Sequence, residues 1–581
     1  MGQSDLTPPH LELLDSWSRP LNAQRVWFTN EEFRNIETRR QSIELDEATI
    51  AYCVYENPFA RSGGIFAVSD RYSQTLKARG QKSVVISPYH DKLQSAPNVE
   101  QVDLLGSCTV WFAGGPIDVQ LYEHMRDGVR WILFRAVGFF NAEGTDPYAH
   151  RDAARLVTDS LFASAAIPEV LIKLGLKKNV ILHCQDWELA ATALTMKRAL
   201  ARGDMESAAI VLTTHNPYDQ GLAYNLLRML TYPQHMAEIR DGTVYQLMIP
   251  LTDAPVSTVS KTFASELTTD SLQTTHFAGH LQDVFRSHGL VGVDNGLFGT
   301  LGSTFRKRAI TDAAKGKFEP ILKAKKTLRK KMLKVLSEYE DGRIIGKLTG
   351  ENGRSLKTLP DEVPVFFMFG RLDPGQKGFD VLCRAIESLP PGQARFVMAP
   401  IVGNAPAAFR DDFERLARSR PGDVAIYPFR MQAGYMETMA GATFGVMPSI
   451  YEPFGAATEP YLAGTPVVAR KTGGLIQQVT DIDESLSEGT GITYREQPCR
   501  SDREWRELMS CTDPYSRMYT PVYGSMVASL AVALTRATMV YRSEPEKYAR
   551  MLTQLNVKCE QFSWDRVSEE YGRLYQIAVG K

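Results

Sequence analysis

Short apolar runs with no polar alternation recur along this 581-residue chain, and stretches of helical period separate most of them. In the first half they fall at 50–55, 84–88, 129–134, 180–184 and 208–213, with sets such as Val68-Tyr72-Leu76 and Leu189-Ala193-Met196-Leu200 between them. A strand that shows one face to water alternates in polarity, whereas a run that is apolar throughout is buried on both faces. Such strands, interleaved with helices, predict a parallel sheet, and right-handed crossovers make it a doubly wound α/β domain. The rhythm stops near residue 297 and resumes at 363–369, 395–399, 424–427, 443–447 and 466–469. The chain is also longer than one core ordinarily organises. Two such domains are expected.

The expected boundaries are an N-terminal extension over 1–48, a Rossmann-like domain over 49–300, and a basic helical junction over 301–358. A second Rossmann-like domain follows over 359–524, then C-terminal helices over 525–581, whose return to the first domain is left open. The extension is polar and helix-tending, with Pro8-Pro9 early on. In the junction, Lys or Arg fills seven of the fourteen positions from Lys323 to Leu336, while Ile321, Leu328, Met332 and Leu336 keep helical spacing. That pattern reads as a solvated amphipathic helix. A nucleic-acid arm would carry aromatic residues among the cations for stacking, and this run has none.

Net charge of −1 gives no bulk attraction to nucleic acid or an acidic membrane surface. No run approaches the ~18 apolar residues of a membrane span, and the acidic N-terminus is unlike a secretory signal. The seven cysteines are scattered, never spaced C-x-x-C, and several sit in apolar runs. A reducing, cytoplasmic compartment is expected, with no metal site.

The richest stretch runs from Val446 to Leu475. It holds Glu452, a turn at Pro453-Phe454-Gly455, Glu459, a short apolar strand and Thr472-Gly473-Gly474. A Gly-rich turn between strand and helix presents backbone N–H groups to an anion such as phosphate. Acidic side chains there suit hydroxyl groups attached to that phosphate. Together they suggest a sugar nucleotide, although glycines that merely turn the chain and acids on a solvated helix fit as well. Ahead of it, Arg371 ends the first strand of the second domain and Lys377 follows in the Gly-flanked turn 375–378. Two cations there suit a departing diphosphate. In the first domain, Arg61, Gly63 and Gly64 close the loop after the first strand, and the glycines permit close approach of a ligand. His183 and Gln185 end another strand and Asn216 follows the next, although a lone strand-end histidine is more often structural.

These motifs, in this order, resemble the retaining glycosyltransferases of GT-B fold, most closely the glycogen and starch synthases of glycosyltransferase family five. The resemblance spans about 51 to 575 and rests on NPFARSGGIFAV, HCQDW, TTHNPYDQG, STVSKTFASEL, GVDNG, FGRLDPGQKG, PSIYEPFG, TPVVARKTGGL and FSWDRVSEEYGRLY. It implies two Rossmann-like domains facing across a cleft. It also implies transfer of a glucosyl group from ADP-glucose or UDP-glucose to a glucan, with no cofactor and no metal. Arg371, Lys377 and Glu452 take the catalytic roles by that resemblance. Arg61, Gly63, Gly64, Phe454, Gly455, Thr472, Gly473 and Gly474 hold the donor, and Asp159, His183, Gln185 and Asn216 fall on the acceptor side. Three departures stand out. The family's loop lysine is Arg61, the second histidine of its His-x-His-Asp-Trp is Gln185, and Glu452 and Glu459 enclose six residues where related enzymes have seven. The alternatives are a related enzyme with another sugar, lipid or small-molecule acceptor, and a catalytically silent sugar-nucleotide-binding protein. Oligomeric state is not legible.

Overall fold

A computed structural model of the chain describes residues 14, 16–98, 100–150, 152–230, 241–269, 278–299, 302, 304–402, 407–431, 433–497, 502–511 and 513–580. Pro8-Pro9 and Cys499 lie outside them. The described residues fall into two compact units, one within Met1–Thr269, Ala278–Phe298 and Trp564–Lys581, the other within Gly299–Ser563.

The first unit is built on nine strands: β1 (Thr49–Cys53), β2 (Ser83–Pro88), β3 (Asp103–Phe112), β4 (Gly115–Arg126), β5 (Val129–Ala136), β6 (Val180–Gln185), β7 (Ala208–Thr214), β8 (Val256–Thr258) and β9 (Leu290–Gly292). Their order in the sheet is β9-β8-β7-β6-β1-β2-β5-β4-β3. Pairing is parallel from β9 to β5, so the five expected strands are present. The expectation of a wholly parallel sheet fails at one edge, where β4 pairs antiparallel with β3 and with β5. Ala113 and Gly114, at φ 51 and 84, make the two-residue turn that joins β3 to β4. The β3 face alternates and leaves Leu104 and Trp111 exposed, so a search for unbroken apolar runs passes over it.

Residues 19–41 are stitched into this unit. Arg19 Nη1 and Lys197 Nζ share buried Asp253 Oδ1 at 2.8 and 2.6 Å. The helix Asn30–Gln41 starts with a Thr29/Glu32 capping box, and Arg40 Nη1 donates to Ala578 O at 2.7 Å.

The second unit carries β10 (Ile345–Gly346), β11 (Val365–Arg371), β12 (Arg395–Ile401), β13 (Val424–Ile426), β14 (Phe444–Met447), β15 (Val467–Arg470) and β16 (Gly491–Tyr494). The order is β10-β13-β12-β11-β14-β15-β16, parallel except at β10. In both units the winding reverses beside the first expected strand, between β1 and β6 and between β11 and β14. Ligands of open α/β sheets bind at such switch points, beyond the strands' carboxyl ends. The loops after β1, β11 and β14 contain Arg61, Gly63, Gly64, Lys377, Glu452, Phe454 and Gly455.

The basic helix, Glu319–Glu338, is not solvated as expected. Lys325 and Arg329 are buried, 4% and 2% exposed. Lys325 Nζ donates to Ala440 O (2.8 Å), Gly464 O (2.7 Å) and Thr465 Oγ1 (2.6 Å). The helix crosses Tyr435–Gly441 so closely that a Cβ on Gly441 would lie 2.4 Å from Met332 Cβ. Seven cations in fourteen residues hid the two that face inward.

Three helices close the chain: Pro521–Ser543, Pro545–Glu560 and Trp564–Val579. The last two are separated at 561–563. Trp564–Val579 packs in the first unit, where Tyr575 and Tyr72 hydroxyls lie 2.8 Å apart. Among the described residues, Pro521–Ser543 alone is long and apolar enough to cross a membrane, which corrects the expectation of no such run. Its buried Val522, Met526, Leu530, Ala533, Leu534 and Ala537 recur at helical spacing, and it packs against the helix Phe379–Ser388. That is the pattern of a core helix.

Candidate active site

Strand β11 delivers Arg371 to the carboxyl end of its sheet, where the residue is exposed. The next turn is tight. Asp373 Oδ1 accepts from Gly375 N at 2.9 Å, and Asp373 O accepts from Lys377 N at 3.1 Å. Gly378, at φ 70, lets the loop lie on the segment after β14, since a Cβ there would sit 2.2 Å from Pro448 O. Ile450 N completes the seam with a 2.7 Å bond to Gln376 O. Lys377 Nζ thereby reaches both carboxylate oxygens of Glu452, at 2.9 and 2.7 Å. Ser449 Oγ donates to the same carboxylate at 2.8 Å.

Behind this pair the chain is held rigidly. The Arg470 guanidinium is fully buried, pairs with Glu496 at 2.7 and 2.6 Å, and donates to Ile450 O at 2.6 Å. Gly474 N donates to Glu452 O at 2.9 Å. Thr472 is buried, with its carbonyl accepting from Leu475 N at 3.1 Å. Phe454 is buried, and Gly455, at φ 94, packs on Leu475 and Gln478. Glu459 is close enough to couple to both members of the pair. Burial raises its pKa, Lys377 opposes that rise and Glu452 adds to it. One lysine thus faces two carboxylates.

In the first unit, Glu56 follows β1 almost directly and is 1% exposed. Its carboxylate accepts from Ser62 N (3.3 Å), Gly63 N (3.2 Å), Phe66 N (3.2 Å) and Tyr148 Oη (3.3 Å). It is the post around which the loop 61–64 is wound. Arg61 donates to Pro58 O at 2.8 Å and stacks its guanidinium 4.2 Å over the Phe66 ring, a contact suited to a planar cation more than to lysine. A Cβ on Gly64 would meet nothing within 4 Å, and one on Gly63 only Glu56 Oε1 at 3.7 Å. Glu56→Ala is expected to cost about 2 kcal/mol or more through unpaired backbone donors, read by urea unfolding, with Glu56→Gln costing less.

At the end of β6, Gln185 Oε1 accepts from His215 Nε2 at 2.9 Å. Asp186 adopts φ 57, a left-handed conformation uncommon outside glycine, and accepts from His215 N at 2.6 Å. Burial lifts Asp186 to about 7 against the His215 and Asn216 amides, and burial pushes Glu188 well up, with Asp186 adding to it. Asn216 is half-buried, its carbonyl accepting from Thr214 Oγ1 at 2.7 Å. Three of the four residues assigned to the acceptor side, Asp159, His183 and Gln185, have buried side chains. Asp159 is 0% exposed and holds Phe140 N at 2.8 Å and Arg155 Nε at 3.1 Å. His183 lies between Thr213 Oγ1 (2.6 Å) and Tyr575 Oη (2.9 Å). These side chains position the scaffold.

Burial depresses His183 to about 3. The unfolded chain therefore binds the proton first, and the stability that the neutral imidazole provides is lost as pH falls below about 6.5. Between pH 7 and pH 5 this amounts to about 2 kcal/mol. His183→Asn should therefore be less stable than the parent at pH 7, with the gap narrowing at pH 5 in paired denaturation curves.

The residues not read from the sequence are Glu56, Ser449 and the Arg470–Glu496 pair. Glu56 had a signal, an acid breaking the apolar run AYCVY. The Arg470–Glu496 pair had none, since only the β15/β16 register brings those residues together.

Comparison with known proteins adds to this geometry. The profile of the starch synthase catalytic domain matches residues 49–287, and that of the family 4 glycosyltransferases in conflict systems matches 326–509. A glycogen synthase of Fervidobacterium nodosum is 25% identical, over 92% of this chain and 99% of its own. One from Thermotoga maritima is 26% identical, over 92% and 98%. Among solved structures, the catalytic domain of Starch Synthase IV from Arabidopsis thaliana, bound to ADP and acarbose, superposes with a TM-score of 0.68. It is 20% identical and covers 92% of this chain and 99% of its own. Sucrose-phosphate synthase from Thermosynechococcus elongatus gives 0.50 at 17% identity, covering 91% and 98%.

Proposed function

We propose, from the premise that the chain is a glycosyltransferase of the glycogen and starch synthase kind on a GT-B fold, that it carries glucose from a nucleoside diphosphate glucose to a glucan hydroxyl with retention of configuration. The observation that carries the site assignment is the Lys377–Glu452 pair at the switch point between β11 and β14, with Arg371 on the adjoining strand end. The anomeric carbon–oxygen bond to the diphosphate breaks, and the acceptor oxygen bonds to that carbon from the same face. The departing diphosphate takes the acceptor's proton, so no protein nucleophile or base is required. Arg371 and Lys377 stabilise the charge that develops on the leaving group. One cation 4 Å from a phosphate oxygen is worth on the order of 4 kcal/mol in a partly wet site. Glu452, held by Ser449, accepts hydrogen bonds from sugar hydroxyls when Lys377 turns to the phosphate. Within the first unit, the open side of Gly63 and Gly64 leaves room for a ligand at the loop 61–64.

The two cations occupy the role a divalent ion would have on a diphosphate, and turnover is expected to be metal-independent and unchanged by EDTA. A cytoplasmic location suits the six free cysteines among the described residues. Neither nucleic acid nor a membrane is assigned as a partner, since net charge is −1 and the basic helix buries Lys325 and Arg329.

The test is nucleotide release from ADP-glucose and UDP-glucose, each with and without maltooligosaccharide. Release that depends on the glucan supports the proposal, and the preferred donor identifies the base. Release with sucrose-sized or lipid acceptors but not with glucan would overturn the acceptor assignment.

A further inference from the structure

The second unit contains a cavity of about 510 Å³ at the opposite end of its sheet from Arg371 and Lys377. Asp361 and Glu362, which precede β11, and Thr443, which precedes β14, form part of its wall. Strand β11 has seven residues, so the cavity and the donor end are separated by roughly 20 Å of strand. The helix Glu319–Glu338 and the start of Pro545–Glu560 complete it.

Five basic residues line this cavity, Lys323, Lys325, Lys326, Arg329 and Arg542, against three acids. Most are already engaged. Lys325 uses all three protons on carbonyl and hydroxyl oxygens. Lys326 pairs with Asp361 at 3.4 Å, and Arg542 donates to Glu362 O and Gln393 O at 3.0 and 2.6 Å. Arg329 differs. Its Nη2 donates to Pro360 O and Val363 O at 3.0 and 2.7 Å, but Nε and Nη1 are buried without a hydrogen-bond partner. Among the described residues no carboxylate comes within ion-pair distance of it. A buried cation with unmet donors is costly unless something supplies acceptors, and an ordered water, an ion or a bound molecule would lower that cost.

We propose that this cavity binds a small molecule bearing a phosphate ester, with Arg329 as its deep anchor and Lys323 at its rim. A phosphate brings up to two negative charges and three acceptor oxygens, which suits two cations at different depths better than a single carboxylate does. The volume falls within the range of small-ligand sites, sufficient for a sugar phosphate or a mononucleotide. Tyr541 and Tyr548 form the adjacent wall, their hydroxyls fixed on Asp361 O and Thr443 O at 2.7 and 2.9 Å.

The test is calorimetric titration of the full chain with inorganic phosphate, glucose 6-phosphate and AMP in separate arms. Four proteins are compared: the parent, Arg329→Met, Lys323→Glu and Lys377→Ala. Saturable binding of at least one probe is expected, abolished in Arg329→Met, weakened about tenfold or more in Lys323→Glu, and unchanged in Lys377→Ala. The arm that binds tightest identifies the organic part. Lys323 is exposed, so its variant remains informative if Arg329→Met does not fold. Absence of saturable binding by all three probes up to about 10 mM would overturn the proposal. So would binding lost in Lys377→Ala but kept in Lys323→Glu, which would assign the phosphate to the donor end.

Discussion

Lys377→Ala should lower kcat at least tenfold, a barrier increase of about 1.4 kcal/mol or more, with a smaller change in KM. The reason lies in when the cation is needed. Lys377 pairs with Glu452 at 2.7 Å, so binding a donor exchanges one anionic partner for another and gains little. As the anomeric carbon–oxygen bond to the diphosphate breaks, charge accumulates on the diphosphate and the lysine's attraction grows, so the loss falls mainly on kcat. Removing the lysine also takes away the cation that opposes the burial-raised pKa of Glu459. Lys377→Arg should recover part of the rate, since charge is kept while the reach changes. Steady-state kinetics on the three proteins decides it. Full kcat in Lys377→Ala would remove Lys377 from the site.

Gly474→Ala should disable the same site by shape alone. A Cβ at 474 would lie 1.8 Å from Phe454 O and 2.4 Å from Phe454 C. Both are backbone atoms, which cannot swing aside as a side chain would. The turn 452–455 has to move, and with it the Glu452 carbonyl that receives Gly474 N. A loss of about 3 kcal/mol or more in unfolding free energy is expected, together with at least tenfold weaker donor binding. Gly64→Ala provides the contrast. The chain leaves space there and φ is −78, so thermal stability should hold within about 0.5 kcal/mol. If donor KM rises nonetheless, the space at Gly64 belongs to the ligand.

These two glycine sites illustrate how far the sequence could be read. Gly63-Gly64 and Gly473-Gly474 look alike as letters, and both suggested a close ligand approach. The structure separates them, because one pair faces open space and the other faces the backbone of its own unit. Glu452 and Glu459 likewise looked equivalent. Fold position gave Glu452 the lysine and the Ser449 hydroxyl and left Glu459 half-buried beside them. The side chains of His183, Gln185 and Asp159, read as acceptor-side residues, are buried against protein partners, a depth that position in the sequence alone does not reveal.

The sequence by itself determined ten of the sixteen strands described in the two large sheets, five in each unit, since unbroken apolar runs and helical periods are local properties; β8, β9, β10 and β16, of two to four residues, were not read from it. It also placed Arg371, Lys377, the loop 61–64 and the 446–475 stretch at strand ends, where a doubly wound sheet binds ligands. The antiparallel β3–β4 hairpin escaped because its alternation has the period of a half-exposed strand. Only the tertiary structure decided the pairings that make a site: Lys377 with Glu452 across 75 residues, Arg470 with Glu496, and Glu56 with the amides of its own loop. Those contacts depend on which strands become neighbours and how deeply each side chain is buried. Both are set by packing across the whole sheet, not by the residues alongside in the chain.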